Sequence, residues 1–114
     1  MNNLSPAAKG ALMRLVRDLA AHNYASLEMD GRSGRVTAQE LARVIRDYGR
    51  TIAELPEEVW PLIDVYPVGG RPGTCMIDIP IWTHEEGRSD LMLSLVLRET
   101  ADGIELAITD LRVP

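Results

Sequence analysis

The chain has 114 residues, of which 46% are hydrophobic and 25% charged. This is enough apolar material for one core and marginal for two, so we expect a single domain over residues 1–114. No apolar run approaches the length of a membrane span, and residues 1–4 carry no basic segment leading into an apolar stretch. Neither a membrane protein nor a secreted protein is therefore expected.

The charge is unevenly distributed along the chain. Residues 1–50 carry eight basic and five acidic residues, whereas residues 51–114 carry four basic and twelve acidic residues. An acidic surface repels nucleic acid phosphates and attracts cationic proteins, so we expect a basic protein partner and no nucleic acid. Cys75 is the only cysteine, which excludes an internal disulfide and favours a reducing compartment, the cytoplasm.

The first half of the chain predicts two helices. Ser5 and Pro6 are an N-cap and a first-turn proline, and apolar residues recur at helical spacing from there to about His22. A second helix is predicted to begin at Thr37, which forms a capping box with Glu40, and to end at Gly49. Between these helices, residues 23–36 predict a loop or a brief hairpin, because they contain two turn dipeptides. A short third helical turn is predicted over residues 55–60.

From Leu62 onward the hydrophobic period changes from 3.6 to 2, which predicts four strands separated by turn sequences at 69–73, 84–87 and 101–103. The short connections predict an antiparallel meander, and a shift of the pattern near Thr109 and Asp110 predicts a β-bulge. The expected fold class is α+β. Two N-terminal helices and a short third, over about residues 5–60, pack on a four-stranded antiparallel sheet over about residues 61–114.

The sequence contains no recognisable catalytic or metal-binding constellation. His22 and His84 are not spaced to share one face of an element, so a zinc site is not expected. Cys75 alternates with Ile77 and Ile79 on the apolar side of its strand, which predicts a buried thiol and not a nucleophile. We therefore expect no enzyme activity, no metal and no cofactor.

The outward side of the predicted sheet combines an aromatic residue, a methionine and several carboxylates. An exposed aromatic residue ringed by acidic groups is typical of a hot spot for a basic partner. In the alternative interpretation, Trp82 packs under a loop and Met92 fills the core. The residues of the predicted partner-binding surface are Asp78, Trp82, Glu85, Glu86, Asp90 and Met92.

The segments 77–82 and 85–91 resemble a family of small bacterial proteins that look like immunity proteins of polymorphic toxin and contact-dependent growth inhibition systems. The similarity covers roughly the last 40 to 50 residues. It implies a protein that binds a cognate, basic nuclease-type toxin and masks its active or RNA-binding surface. Two other interpretations stay open. One is a cone-shaped, nuclear-transport-factor-like fold with Asp64 or Asp78 and Tyr66 in a ligand pocket, and the other is a homodimerisation module.

Overall fold

The computed structural model describes residues 4–114, so residues 1–3, on which the expectation of no signal peptide partly rests, lie outside it. Helices precede strands, and the four strands form one antiparallel sheet in the order β1-β2-β3-β4. The α+β fold expected from the sequence is therefore confirmed. The elements are α1 (Pro6–Ala20), α2 (Tyr24–Met29), α3 (Ala38–Tyr48), a 3₁₀ helix (Glu57–Leu62), β1 (Asp64–Pro67), β2 (Thr74–Thr83), β3 (Gly87–Thr100) and β4 (Gly103–Arg112).

The two long helices begin where the capping residues indicate. The Ser5 hydroxyl accepts the Ala8 N–H at 3.1 Å, which satisfies one of the free donors at the start of α1. Thr37 and Glu40 form the complete capping box of α3, and Gly49 ends that helix in the left-handed conformation at φ 77°. Local sequence signals are therefore sufficient to define both helices.

The prediction of a loop or hairpin over residues 23–36 is wrong for its first part, where α2 forms. This six-residue helix has no side-chain cap, and Leu27 is its one buried residue. It is fixed by tertiary contacts, because Leu27 packs in the core and the Glu28 carboxylate accepts the Ala38 N–H of α3 at 3.1 Å. An isolated helix of this length is unstable in water, so a local pattern cannot reveal it.

One face of the sheet packs on the helices and forms the core. Side chains alternate between the two faces of a strand, and the apolar series of β2 and β3 is almost fully buried. The expected bulge is also confirmed: Ser94 pairs with Asp110 but Leu95 pairs with Ile108, which leaves Thr109 as the extra residue of β4. The core-facing strand residues include Ile77, Ile79, Ile81, Leu91, Leu93, Leu95, Leu97, Leu106 and Ile108.

Two connecting segments complete the edges of the sheet. Residues 51–53 extend the outer edge of β2, where the Ala53 N–H bonds the Trp82 carbonyl at 2.8 Å and the His84 N–H bonds the Thr51 carbonyl at 2.9 Å. On the opposite edge, the Arg32 carbonyl accepts the Ile108 N–H of β4 at 2.8 Å. The Arg32 guanidinium also pairs with Asp18 of α1 at 2.8 Å, so this residue joins helix, loop and sheet.

Candidate functional site

The turn between β2 and β3 holds Glu85 and Glu86, and both carboxylates have partners within the chain. Glu85 accepts the backbone N–H and the hydroxyl of Thr51, each at 2.8 Å. These two bonds, from the N–H first and the hydroxyl second, lower the pKa of Glu85 below its ordinary value. Glu86 accepts the Tyr48 hydroxyl at 2.9 Å and the Thr83 hydroxyl at 3.1 Å. Both carboxylates of the predicted partner-binding surface therefore anchor this turn. Glu86 ties it to α3, and Glu85 ties it to the segment that follows α3.

Trp82 is half-buried and packs against the core, so it is not the exposed aromatic anchor that the alternation of β2 predicts. The physical reason is local. The register between β2 and β3 shifts by two residues between Pro80 and Trp82, and residues 51–53 pair along this end of β2. Trp82 is therefore partly covered and not fully presented to solvent.

We use the term open face for the side of the sheet that is turned away from the helices. Two rows of residues cross this face from β1 to β4, as the strand registers show. One row combines carboxylates with a serine, and the neighbouring row is apolar. The polar row is Asp64, Asp78, Ser94 and Asp110, and the apolar row is Tyr66, Met76, Val96 and Ala107.

The polar row is held together by a hydrogen-bond chain. The Ser94 hydroxyl donates to the Asp78 carboxylate at 2.6 Å and accepts from the Arg112 guanidinium at 2.9 Å. Arg112 in turn lies 3.5 Å from the Asp110 carboxylate. The row thus contains three carboxylates and has one arginine beside it, and Asp64 is exposed at its β1 end. The row therefore keeps a net negative charge.

The apolar row contains two large apolar side chains that are exposed to solvent. Tyr66 is 50% exposed and Met76, its partner across the strands, is 45% exposed. Met92 of the predicted surface lies on the same face, paired with Pro80, and is half-buried. The sequence alone does not single out Met76, because alternation assigns this residue to the outer face without showing that it stays uncovered there. Asp90 is exposed in the irregular part of β3, where its backbone N–H bonds the Tyr48 hydroxyl at 3.2 Å.

The structure does not place Asp64, Asp78 or Tyr66 between helices and sheet. All three lie on the open face, whereas the core side carries Ile77 and Ile79, which are both 0% exposed. These three residues therefore do not line a cone-shaped pocket between the helices and the sheet.

Cys75, the one cysteine of the chain, is half-buried in β2. Burial raises the pKa of the Cys75 thiol, and the nearby Glu99 charge raises it further, so the nucleophilic thiolate is disfavoured. Among residues 4–114, no group of three or more His, Cys, Asp or Glu side chains is placed to hold a metal ion. In the same range no helix is both long and apolar enough to cross a bilayer.

A groove at the edge of β4 has the opposite charge to the polar row of the open face. This groove of about 940 Å³ is lined by α1, the loop after α2, the β1–β2 turn and the last two strands. Four arginines and two carboxylates line it. We call it the arginine groove. Its charged residues are Arg14, Arg32, Arg71, Arg98, Asp30 and Glu105.

Two of these arginines are already paired, Arg98 with Glu105 at 2.7 Å and Arg32 with Asp30 at 2.8 Å. In the part of the chain that the structure describes, the Arg14 and Arg71 side chains form no ion pair. The four arginines are far apart in sequence, so no linear motif indicates this groove.

Comparison with known proteins assigns a family but no activity. Residues 16–114 match the family described as a domain of unknown function, DUF7668, and the chain belongs to that family. No curated protein and no solved structure matches the chain. The resemblance to immunity proteins is thus not reflected in these comparisons and stays a prediction.

Proposed function

We propose that this member of the DUF7668 family is a binding protein that engages a basic protein partner through the open face of its sheet. The observation that carries the proposal is the pair Tyr66 and Met76, which are exposed by 50% and 45% beside the carboxylate of Asp64. Aromatic and methionine side chains are enriched in protein interfaces, where a few such residues supply most of the binding energy.

The charge on the open face favours a cationic partner. Asp64, Asp78 and Asp110 lie in one row, and Arg112 is the one arginine that residues 4–114 place in contact with it. The whole chain carries a net charge of −5. Carboxylates next to an apolar pair steer a basic protein towards the face and fix its register after contact. We therefore expect association that weakens as salt is raised, because Asp64 and Asp110 are exposed to solvent.

The specific form of this proposal is toxin neutralisation in the cytoplasm. A stoichiometric complex of an acidic protein with a basic nuclease-type toxin would mask the active or RNA-binding surface of the toxin, as the resemblance of segments 77–82 and 85–91 implies. The open face is suited to such masking, because it needs only a complementary surface and no catalytic group. Of the six residues predicted from sequence, Asp78 and Met92 lie on this surface.

The test uses the protein encoded by the gene adjacent to this one, purified and titrated by calorimetry. We expect one-to-one binding that the double variant Tyr66→Ala with Met76→Ala weakens at least tenfold. Met29→Ala is the matched control, because Met29 is 88% exposed and belongs to α2, which is not part of the sheet. Binding that is equally strong for the double variant would show that another surface is used.

A second pair of variants addresses the charge. Asp64→Asn should reduce the salt dependence of binding, whereas Asp102→Asn, in the turn between β3 and β4, should leave it unchanged. Neutralisation is measured separately, as the growth of cells that express the neighbouring protein with and without this chain. Absence of both binding and growth rescue would contradict the immunity role.

A further inference from the structure

We propose that the arginine groove binds an extended acidic peptide, which adds to the free edge of β4 as a fifth strand. This proposal does not depend on the open-face interface, because it uses other residues and a ligand of opposite charge. It follows from two independent properties of the groove, namely the unpaired backbone groups of β4 and the arginine side chains around them.

The backbone edge is defined by the register of β4. The Ile108 N–H points away from β3, since it bonds the Arg32 carbonyl. Outward-pointing groups recur every second residue along a strand, so the N–H and carbonyl groups of Leu106 and Ile104 also point outward. Within residues 4–114 these groups have no hydrogen-bond partner, and both residues line the groove. This stretch of β4 can therefore pair with another strand.

The rest of the edge is closed by the chain itself. Gly34 lies directly on the Ile108 carbonyl, since a Cβ built on Gly34 would stand 2.3 Å from that oxygen. Natural sheets usually cover or charge their edges, because an exposed edge accepts strands from other molecules. Here the cover stops at Ile108, and the uncovered part, Ile104–Leu106, is the part that lies in the groove.

The arginines define the chemistry of the peptide. An extended peptide beside β4 presents alternate side chains to the two sides of the sheet. Arg14 of α1 lies on the helix side, while Arg98 lies on the open face and Arg71 lines the groove from the β1–β2 turn. Carboxylates at successive positions of the peptide would thus meet guanidinium groups on both sides. A second copy of this chain is a poorer occupant, because pairing two β4 edges would bring the two sets of arginines together.

The probe is a fluorescein-labelled hexapeptide, Glu-Glu-Val-Glu-Glu-Val, measured by fluorescence anisotropy with the full chain. Arg14→Gln with Arg71→Gln should weaken binding at least tenfold, and both side chains are exposed, so folding should be unaffected. The matched control is Arg43→Gln with Arg46→Gln, which removes the same charge from α3 and should change affinity less than twofold.

A second peptide separates strand pairing from simple charge attraction. It has the same sequence but carries N-methyl groups on alternate amides, which keeps every carboxylate and removes the donors that pair with β4. We expect this peptide to bind at least tenfold more weakly. Equal affinity of the two peptides, an equal loss in both arginine double variants, or no binding of the unmodified peptide would overturn the proposal.

Discussion

The substitution Gly34→Ala tests how the loop after α2 closes the edge of β4. Gly34 has φ +61°, and an added Cβ would lie 2.3 Å from the Ile108 carbonyl oxygen, a distance that real Cβ atoms essentially never show. The loop must therefore move away from β4. This movement would break the hydrogen bond between the Ile108 N–H and the Arg32 carbonyl, 2.8 Å long in the native chain.

The expected cost has two parts. An alanine in the left-handed conformation costs about 1 kcal/mol. Loss of the hydrogen bond between the Ile108 N–H and the Arg32 carbonyl adds about 1 to 3 kcal/mol, because these groups are partly buried. We therefore expect Gly34→Ala to lower the free energy of unfolding by about 2 to 4 kcal/mol. For a domain of this size that corresponds to a drop in Tm of about 8 to 16 °C.

Gly31→Ala is the matched control, since Gly31 also has a positive φ, +86°, but nothing lies within 4 Å of its added Cβ. Only the conformational cost of about 1 kcal/mol applies there. Both variants are measured by urea unfolding followed by circular dichroism. If Gly34→Ala is no less stable than Gly31→Ala, the close contact between the loop and β4 does not exist as described.

Three further substitutions test other parts of the structure. Ser33 is fully buried and its hydroxyl has no partner in the described chain, so Ser33→Ala should raise the free energy of unfolding by about 1 kcal/mol in urea titrations. Leu95 is 0% exposed at the centre of the sheet, and Leu95→Ala should cost about 2 to 5 kcal/mol by the same assay. Thr51 lowers the pKa of Glu85 from its ordinary value of 4.5, so the stability from this contact is complete above that value. It should be lost as the pH falls through the lower pKa of the folded chain, and Glu85→Gln should remove this part of the acid-side decline. An unchanged pH profile in the variant would contradict the assignment.

Most of this fold can be predicted from the sequence, because the interactions that define its helices and strands join residues that are close together in the chain. The capping box at Thr37, the alternation in β2 and β3 and the interrupted pattern around Thr109 each concern neighbouring residues. The helix α2 could not be predicted in this way, because it depends on Leu27 packing in the core and on Glu28 bonding the start of α3.

The binding surface was harder to predict than the fold. Alternation indicates which side chains share a face, and it placed Asp78 and Met92 correctly on the open face. It does not show which polar groups are already bonded. The Glu85 contact joins residues that are 34 positions apart, so the sequence gives no sign that this carboxylate is occupied. In the same way, Trp82 follows the alternation, but its side chain is half-buried and packs against the core.

The docking of α1 on β4 has a consequence for how the protein is made. The first helix packs mainly against the last of the four strands and against α2, so its apolar stripe needs residues that are translated much later. At about 5 to 20 residues per second, β4 begins to leave the synthesis machinery roughly 4 to 17 seconds after Ala20. During that interval, the leucines of α1 are without the strand that buries them. A ribosome that pauses before Gly103 would therefore hold a nascent chain with an exposed apolar helix, a target for chaperones.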